Sequence, residues 1–236
     1  PTATTTFTVT GKTAGESSLP ISATVTVNPS PVVSVQNATI CNGQTAILTA
    51  TGADNFEWSN GETGNSISIS PAETTTFSVV GTSLGCASAP VSAQVLVNPL
   101  PIVSVNDATV CAGETAVLTA SGATSFEWSN GETGNSISVN PAETTTFSVV
   151  GTSLACVSAP VSAQVLVNPL PSIDLGVDIT LQQGQEITLD ATAPGLMYLW
   201  SNGATTSTIV VNSMGTYAVT VTNLEGCTAS DSIQVT

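Results

Sequence analysis

Short runs of alternating apolar and polar residues follow one another along the whole chain, separated by clusters of Gly, Asn, Asp and Pro. No stretch carries the 3.6-residue spacing of an amphipathic helix. In one representative stretch the pattern predicts strands at 32–36, 45–51, 55–59, 65–70, 75–81 and 91–97. Strands this short, with turn signals between them, predict an all-β sandwich. Asn60-Gly61 follows Trp58 and predicts a tight hairpin turn, since both residues accept positive φ.

The pattern repeats. Residues 31–100 and 101–170 align without a gap, with 56 of 70 positions identical. FEWSNGETGNSIS occurs at 56–68 and 126–138, and PAETTTFSVVGTSL at 71–84 and 141–154. A divergent copy occupies 171–236, where YLWSNGATTSTIVV (198–211) and GTYAVTVT (215–222) match the same frame. Residues 1–30 match only the last part of a repeat, 71–101. The expected domains are therefore an incomplete repeat at 1–30, repeats at 31–100 and 101–170, and a divergent repeat at 171–236. Half a sandwich cannot bury its own core, so upstream residues or a neighbouring chain are expected to complete 1–30. Asn-Pro-x-Pro stands at each boundary, 28–31, 98–101 and 168–171. Proline fixes φ and removes a donor, which predicts short, stiff joints. The expectation is a semi-rigid rod in which each repeat adds on the order of 30–40 Å.

Comparison of copies sets the register. EITLDA at 186–191 puts Glu186, Thr188 and Asp190 on one face, so Ile187, Leu189 and Ala191 point inward. Ala46, Leu48 and Ala50 follow, with Ile47 outside. Phe56 and Trp58 then face in and Glu57 out, and Phe77 and Val79 match Tyr217 and Val219. A core of so few large side chains in about 70 residues is marginal.

Composition narrows the partners. Charged residues are 7% of the 236, with 16 carboxylates against the single cation Lys12 and no His. Nucleic-acid binding needs cations to displace phosphate counterions, and an anionic membrane surface is equally repelled. No apolar run is long enough to insert in a membrane. Divalent cations and neutral sugars remain as partner classes. Without His, no Ser-His-Asp or Cys-His nucleophile system can be built, and the reading is not an enzyme.

Cys41 and Cys86 lie 45 apart, as do Cys111 and Cys156. Zinc ligation wants closely spaced Cys or His, so one disulfide per full repeat is expected, Cys41–Cys86 and Cys111–Cys156. Each would contribute roughly 4 kcal/mol in the chain-entropy model and implies an oxidising, extracellular location. Gln182 stands where Cys111 aligns, which leaves Cys227 unpaired or bonded to another molecule. Glu16 stands at the equivalent of Cys86.

The frame C-x-G-x-T-x-x-L-T-A-x-G-A, F-x-W-S-N-G, T-T-x-F-x-V-x-G-T, C and V-x-V-N-P resembles the Ig/PKD-like repeats of very large Bacteroidota-type surface proteins. Among these are the SprB-type gliding-motility adhesins exported by the type IX secretion system. The likeness covers nearly the whole chain, although Gln182 departs from the Cys of the corresponding last repeat. It implies a tandem array of Ig-like or PKD-like β-sandwich domains in a cell-surface stalk, adhesin or filament. Its partners would be neighbouring repeats of the same or another chain, surface glycans or other cell-surface proteins. The rivals are a carbohydrate-binding accessory module of a secreted enzyme, and a self-assembling filament subunit.

The remaining candidates are modest. Glu57 with Glu62, and Glu127 with Glu132, flank a hairpin and are read as solvated rather than as a glycosidase pair. Asp174, Asp178 and Asp190 are candidate ligands for a structural Ca2+, the one cofactor considered. Trp58, Trp128 and Trp200 are expected in the core rather than in an exposed sugar platform. Ser232, in Asp231-Ser232-Ile233, is a candidate O-glycan site, and Asn37-Ala38-Thr39 matches an N-glycan sequon. Ile47, Val80 and Leu96, with Val117, Val150 and Leu166, are expected as outward apolar positions, either scattered or packed between repeats.

Overall fold

The computed structural model describes all 236 residues and consists of strands and turns without a helix. It divides into two compact units, Pro1–Leu100 with Leu154–Cys156, and Pro101–Ser153 with Val157–Thr236.

The first unit opens with an antiparallel pair, β1 (Thr5–Val9) and β4 (Ile21–Val25), extended by the short hairpin β2 (Lys12–Thr13) and β3 (Glu16–Ser17). The first full repeat follows. Its strands are β5 (Ser34–Val35), β6 (Ala38–Cys41), β7 (Ala46–Thr51), β8 (Asn55–Trp58), β9 (Ser66–Ile69), β10 (Thr75–Ser83), β11 (Cys86–Ala87) and β12 (Val91–Asn98). One sheet is β5-β7-β9. The other is built on β10, which pairs with β8, β11 and β12, and β12 in turn pairs with β6. The register agrees with the alternation. Ala46, Leu48 and Ala50 are buried while Ile47 is 65% exposed, and Phe56, Trp58 and Val79 are buried around exposed Glu57. Phe77 packs partly buried against the same core.

Strand β6 is absent from the reading of the alternation. Ala38-Thr39-Ile40-Cys41 is too short to display a period, and both Ile40 and Cys41 are buried. It pairs parallel with β12, Ala38 opposite Val95 and Cys41 opposite Asn98. The first strand thus changes sheets between Val35 and Ala38, so the expected strand at 32–36 shrinks to two residues. Asn37 secures the change, its Oδ1 accepting the Gln94 backbone N–H at 2.8 Å. At the corner after β7, Gly52 has φ 101°, and a Cβ there would lie 1.9 Å from the Val32 carbonyl oxygen. Only glycine lets these two backbone segments cross.

The second unit repeats the plan with β13 (Ser104–Val105), β14 (Ala108–Cys111), β15 (Ala116–Ser121), β16 (Ser125–Trp128), β17 (Ser136–Val139), β18 (Thr145–Ser153), β19 (Cys156–Val157) and β20 (Val161–Asn168). Its divergent copy contains β21 (Ile187–Asp190), β22 (Met197–Trp200), β23 (Thr208–Val211), β24 (Gly215–Thr222) and β25 (Thr228–Val235). There, residues 179–181 take the place of β6, with Ile179 bridged parallel to Val235 and the Leu181 N–H donating to the Thr236 carbonyl at 2.7 Å. Asp107 and Asp178 repeat the role of Asn37, accepting the N–H of Gln164 at 2.7 Å and of Gln234 at 2.9 Å. Leu189 and Ala191 are buried and Ile187 partly so, with Glu186, Thr188 and Asp190 exposed.

Candidate functional site

The chemistry that distinguishes this chain gathers at its cysteines. Asn98 ends β12, and Cys41 lies beside it on the parallel strand β6. The Asn98 carbonyl accepts the Asn42 N–H at 2.9 Å, while its side-chain Nδ2 donates to the Leu154 carbonyl at 3.4 Å. Leu154 begins the turn that leads into Cys156. The result is a disulfide between Cys41 and Cys156, Cα atoms 5.6 Å apart and 115 residues apart in sequence. In the second unit Cys111 lies opposite Asn168, and the Asn168 carbonyl accepts the Ala112 N–H. Cys111 is bonded to Cys227, again with Cα atoms 5.6 Å apart, at a sequence separation of 116.

These bonds correct the expected pairing. Each joins one repeat to the next rather than closing one repeat, Cys227 is paired, and Cys86 is the free cysteine. The reason lies in the sheet. Cys41 sits beside Asn98, beyond the point where β12 meets the start of β10 at Thr75, whereas Cys86 faces Ser83 at the other end of β10. At a strand rise of about 3.3 Å the eleven residue steps between them put the two cysteines of one repeat roughly 36 Å apart along the sheet, far outside disulfide reach. Cys111 and Cys156 are separated in the same way.

The turns that carry Cys86 and Cys156 differ by one residue. Leu84 (φ 50°) and Gly85 (φ 78°) precede Cys86, while Leu154 (φ 50°) and Ala155 (φ 63°) precede Cys156. Two successive positive φ values form the tight turn that matches strand twist, and Ala155 adopts it without the freedom of glycine.

The other candidates take structural places. Trp58, Trp128 and Trp200 are each 2% exposed, with the indole N–H donating to the carbonyl of Gly64, Gly134 and Thr206 respectively. They lock the Asn-Gly turn to the core and offer no outward ring. Glu57 and Glu62 are exposed on that turn, and Glu62 Oε1 accepts the Asn60 side-chain N–H. Asp174, Asp178 and Asp190 are not brought together, and no group of three or more Asp, Glu, Cys or His side chains converges on a common point. Asp174 accepts the Gly176 N–H, Asp178 accepts from Gln234 and Asp190 from Thr192, so each carboxylate shapes its own loop or strand edge. Ser232 is exposed on β25. Leu96 and Val117 are exposed like Ile47, whereas Val80 and Val150 are half-buried beside Glu57 and Glu127 on the paired strands.

No family model and no curated protein matches the chain. Among solved structures it is similar to the N-terminal eight Ig domains of Down Syndrome Cell Adhesion Molecule, with 14% identity over 98% of this chain and a TM-score of 0.28. It spans 44% of that structure's length. It is also similar to a Ca2+-stabilised ice-binding adhesin of an Antarctic bacterium, with 14% identity, 99% of this chain, 82% of that chain and a TM-score of 0.40. A third is a 1.5-MDa bacterial ice-binding adhesin, at 14% identity, 88% of this chain, 98% of that chain and a TM-score of 0.35. All are loose superpositions, and the all-β sandwich assignment rests on the strand pairings themselves.

Proposed function

We propose that this chain is a load-bearing, non-enzymatic repeat region of a secreted adhesive protein. The single observation that carries the reading is the pair of overlapping disulfides, Cys41–Cys156 and Cys111–Cys227, each tying a repeat to its successor. In a region that transmits tension, load passes across sulfur when a proline joint or a sandwich gives way. Two disulfides also belong to an oxidising compartment.

The finer reading follows the sequence frame, which supports a cell-surface stalk or filament of SprB type, type IX secretion and a part in gliding motility. Division into 1–30, 31–100, 101–170 and 171–236 belongs to the same proposal, as do glycan or cell-surface protein partners and an O-glycan on Ser232. Burial of Trp58, Trp128 and Trp200 weighs against the carbohydrate-binding alternative, which needs exposed rings.

Single-molecule stretching tests the mechanical reading. With both bridges intact, the shortest covalent path runs 1–41, across to Cys156, back to Cys111, across to Cys227 and on to 236. That is about 95 residues, or roughly 330 Å of contour against about 820 Å for the whole chain. Reduction is expected to lengthen the maximal extension about 2.5-fold. An oxidised chain that extends to the same length as the reduced one would overturn the proposal.

A further inference from the structure

One more place in the chain carries the parts of a cystine junction, with a thiol instead of a bond. Asn28 Nδ2 donates to the Leu84 carbonyl at 3.4 Å, as Asn98 Nδ2 does to Leu154. Cys86 Sγ lies 3.5 Å from the Asn28 carbonyl oxygen, as Cys227 Sγ lies 4.0 Å from that of Asn168. Cys86 therefore stands where Cys156 and Cys227 stand. At the two closed junctions the bonding partner arrives on a parallel strand alongside the asparagine, whereas β4 has β1 as its one neighbour.

A second observation, independent of sulfur, lies on the β1–β4 hairpin. Phe7, Val9, Ile21 and Val25 are 55%, 68%, 72% and 44% exposed. Their counterparts one repeat later are Phe77, Val79, Val91 and Val95, of which Val79 and Val95 are 0% exposed. What covers those counterparts is the first half of their own repeat, Leu48, Trp58 and Ile67 among it.

We infer that Cys86 and the apolar face of the β1–β4 hairpin form one docking site, and that its occupant is the first half of a further repeat. That occupant corresponds to residues 31–70 and carries a cysteine at the place of Cys41, which bonds Cys86. A second folded copy of this chain does not qualify, because its Cys41 and Cys111 are already bonded. The bond forms by thiol–disulfide exchange. Cys86 and its partner give up two protons and two electrons to a small-molecule disulfide, which leaves as two thiols.

The departures from cysteine fall where this scheme needs them. Glu16, opposite Thr13 as Cys86 is opposite Ser83, occupies the hairpin-tip place in the leading segment. Gln182 occupies the parallel-strand place in the divergent copy. Its N–H donates to Gln185 Oε1, as the Cys41 N–H donates to Gln44 Oε1. With Cys86 bonded, no cysteine is left over, and the ladder of staples ends in a non-cysteine on both sides.

The test joins a copy of residues 31–70 directly ahead of Pro1 of the full chain and oxidises it in a glutathione buffer. Thiol titration is expected to fall from one free thiol per chain, in the parent, to zero. Peptide mapping is expected to link the added cysteine to Cys86. Two free thiols beside intact Cys41–Cys156 and Cys111–Cys227 bonds would overturn the inference. A second arm adds the 31–70 peptide in trans to the unmodified chain. Phe7→Asp with Val25→Asp is expected to lower the yield of the Cys86 adduct at least 10-fold, while a small thiol reagent still modifies Cys86 at the parent rate. Equal yields with and without the apolar face would reduce the reaction to indiscriminate thiol capture and refute the docking site.

Discussion

Ala155 holds φ 63° immediately ahead of a bonded cysteine, at a place where the preceding repeat uses Gly85. A non-glycine residue in the left-handed region costs about 1 kcal/mol or somewhat more. Ala155→Gly is expected to raise the thermal midpoint by about that much stability, and Gly85→Ala to lower it comparably, as read by calorimetry. Asp190 supplies a pH signature. The Thr192 hydroxyl and then its backbone N–H bond the Asp190 carboxylate and hold its pKa below the ordinary 3.8. A depressed folded value means that the contribution is present above pH 3.8 and disappears as pH falls through the folded pKa. An NMR titration is expected to place the Asp190 midpoint below 3.8, and Thr192→Val to return it toward that value. The inward and outward residues were legible because alternation is a local property and three copies vote on one register. Phe56, Trp58 and Leu48 stand where that vote puts them. The role shared by Asn37, Asp107 and Asp178 was not legible, because a strand-switch cap depends on a partner 57 residues away, or 56 in the last copy.

At the scale of elements, the hairpins and long strands follow from β-branched runs bounded by Asn-Gly and Pro, whereas β6 does not. Four residues that leave one sheet for the other show no period, and their pairing with β12 is parallel, which no short loop announces. The crossing at Gly52 depends on this switch, since the segment that leads into β5 passes directly over it. Gly52→Ala is expected to destabilise the first unit by roughly 2 kcal/mol or more, measured by denaturant unfolding. Alanine at Gly43, where nothing approaches the built Cβ within 4 Å, separates the effect of positive φ from that of the clash.

For the molecule as a whole, the staples act across repeats. Each closes a loop of about 115 residues, for which the chain-entropy model gives about 4–5 kcal/mol. Replacing Cys41 and Cys156 together by Ser is expected to cost about that amount, seen as a lower midpoint under non-reducing conditions. Cleavage after Glu without reduction checks the connectivity. The peptide 17–57 is expected to be linked to 144–186, and 74–114 to 226–236. Pairing within repeats would instead join 17–57, 74–114 and 144–186 in one species.

From its own order of residues the chain determines an all-β sandwich, a 70-residue period and the register of its longer alternating strands. Those properties are written in short-range alternation and in residue counts. Which cysteine bonds which was decided only by the tertiary structure. In a periodic chain, Cys41 has a partner of the same kind at Cys86 and, one period later, at Cys156, and spacing alone ranks the nearer first. The parallel strand carries Cys41 to the end of the sheet remote from Cys86 and beside Asn98, where the next repeat's turn supplies Cys156. Distance through space, which periodicity does not encode, made the choice.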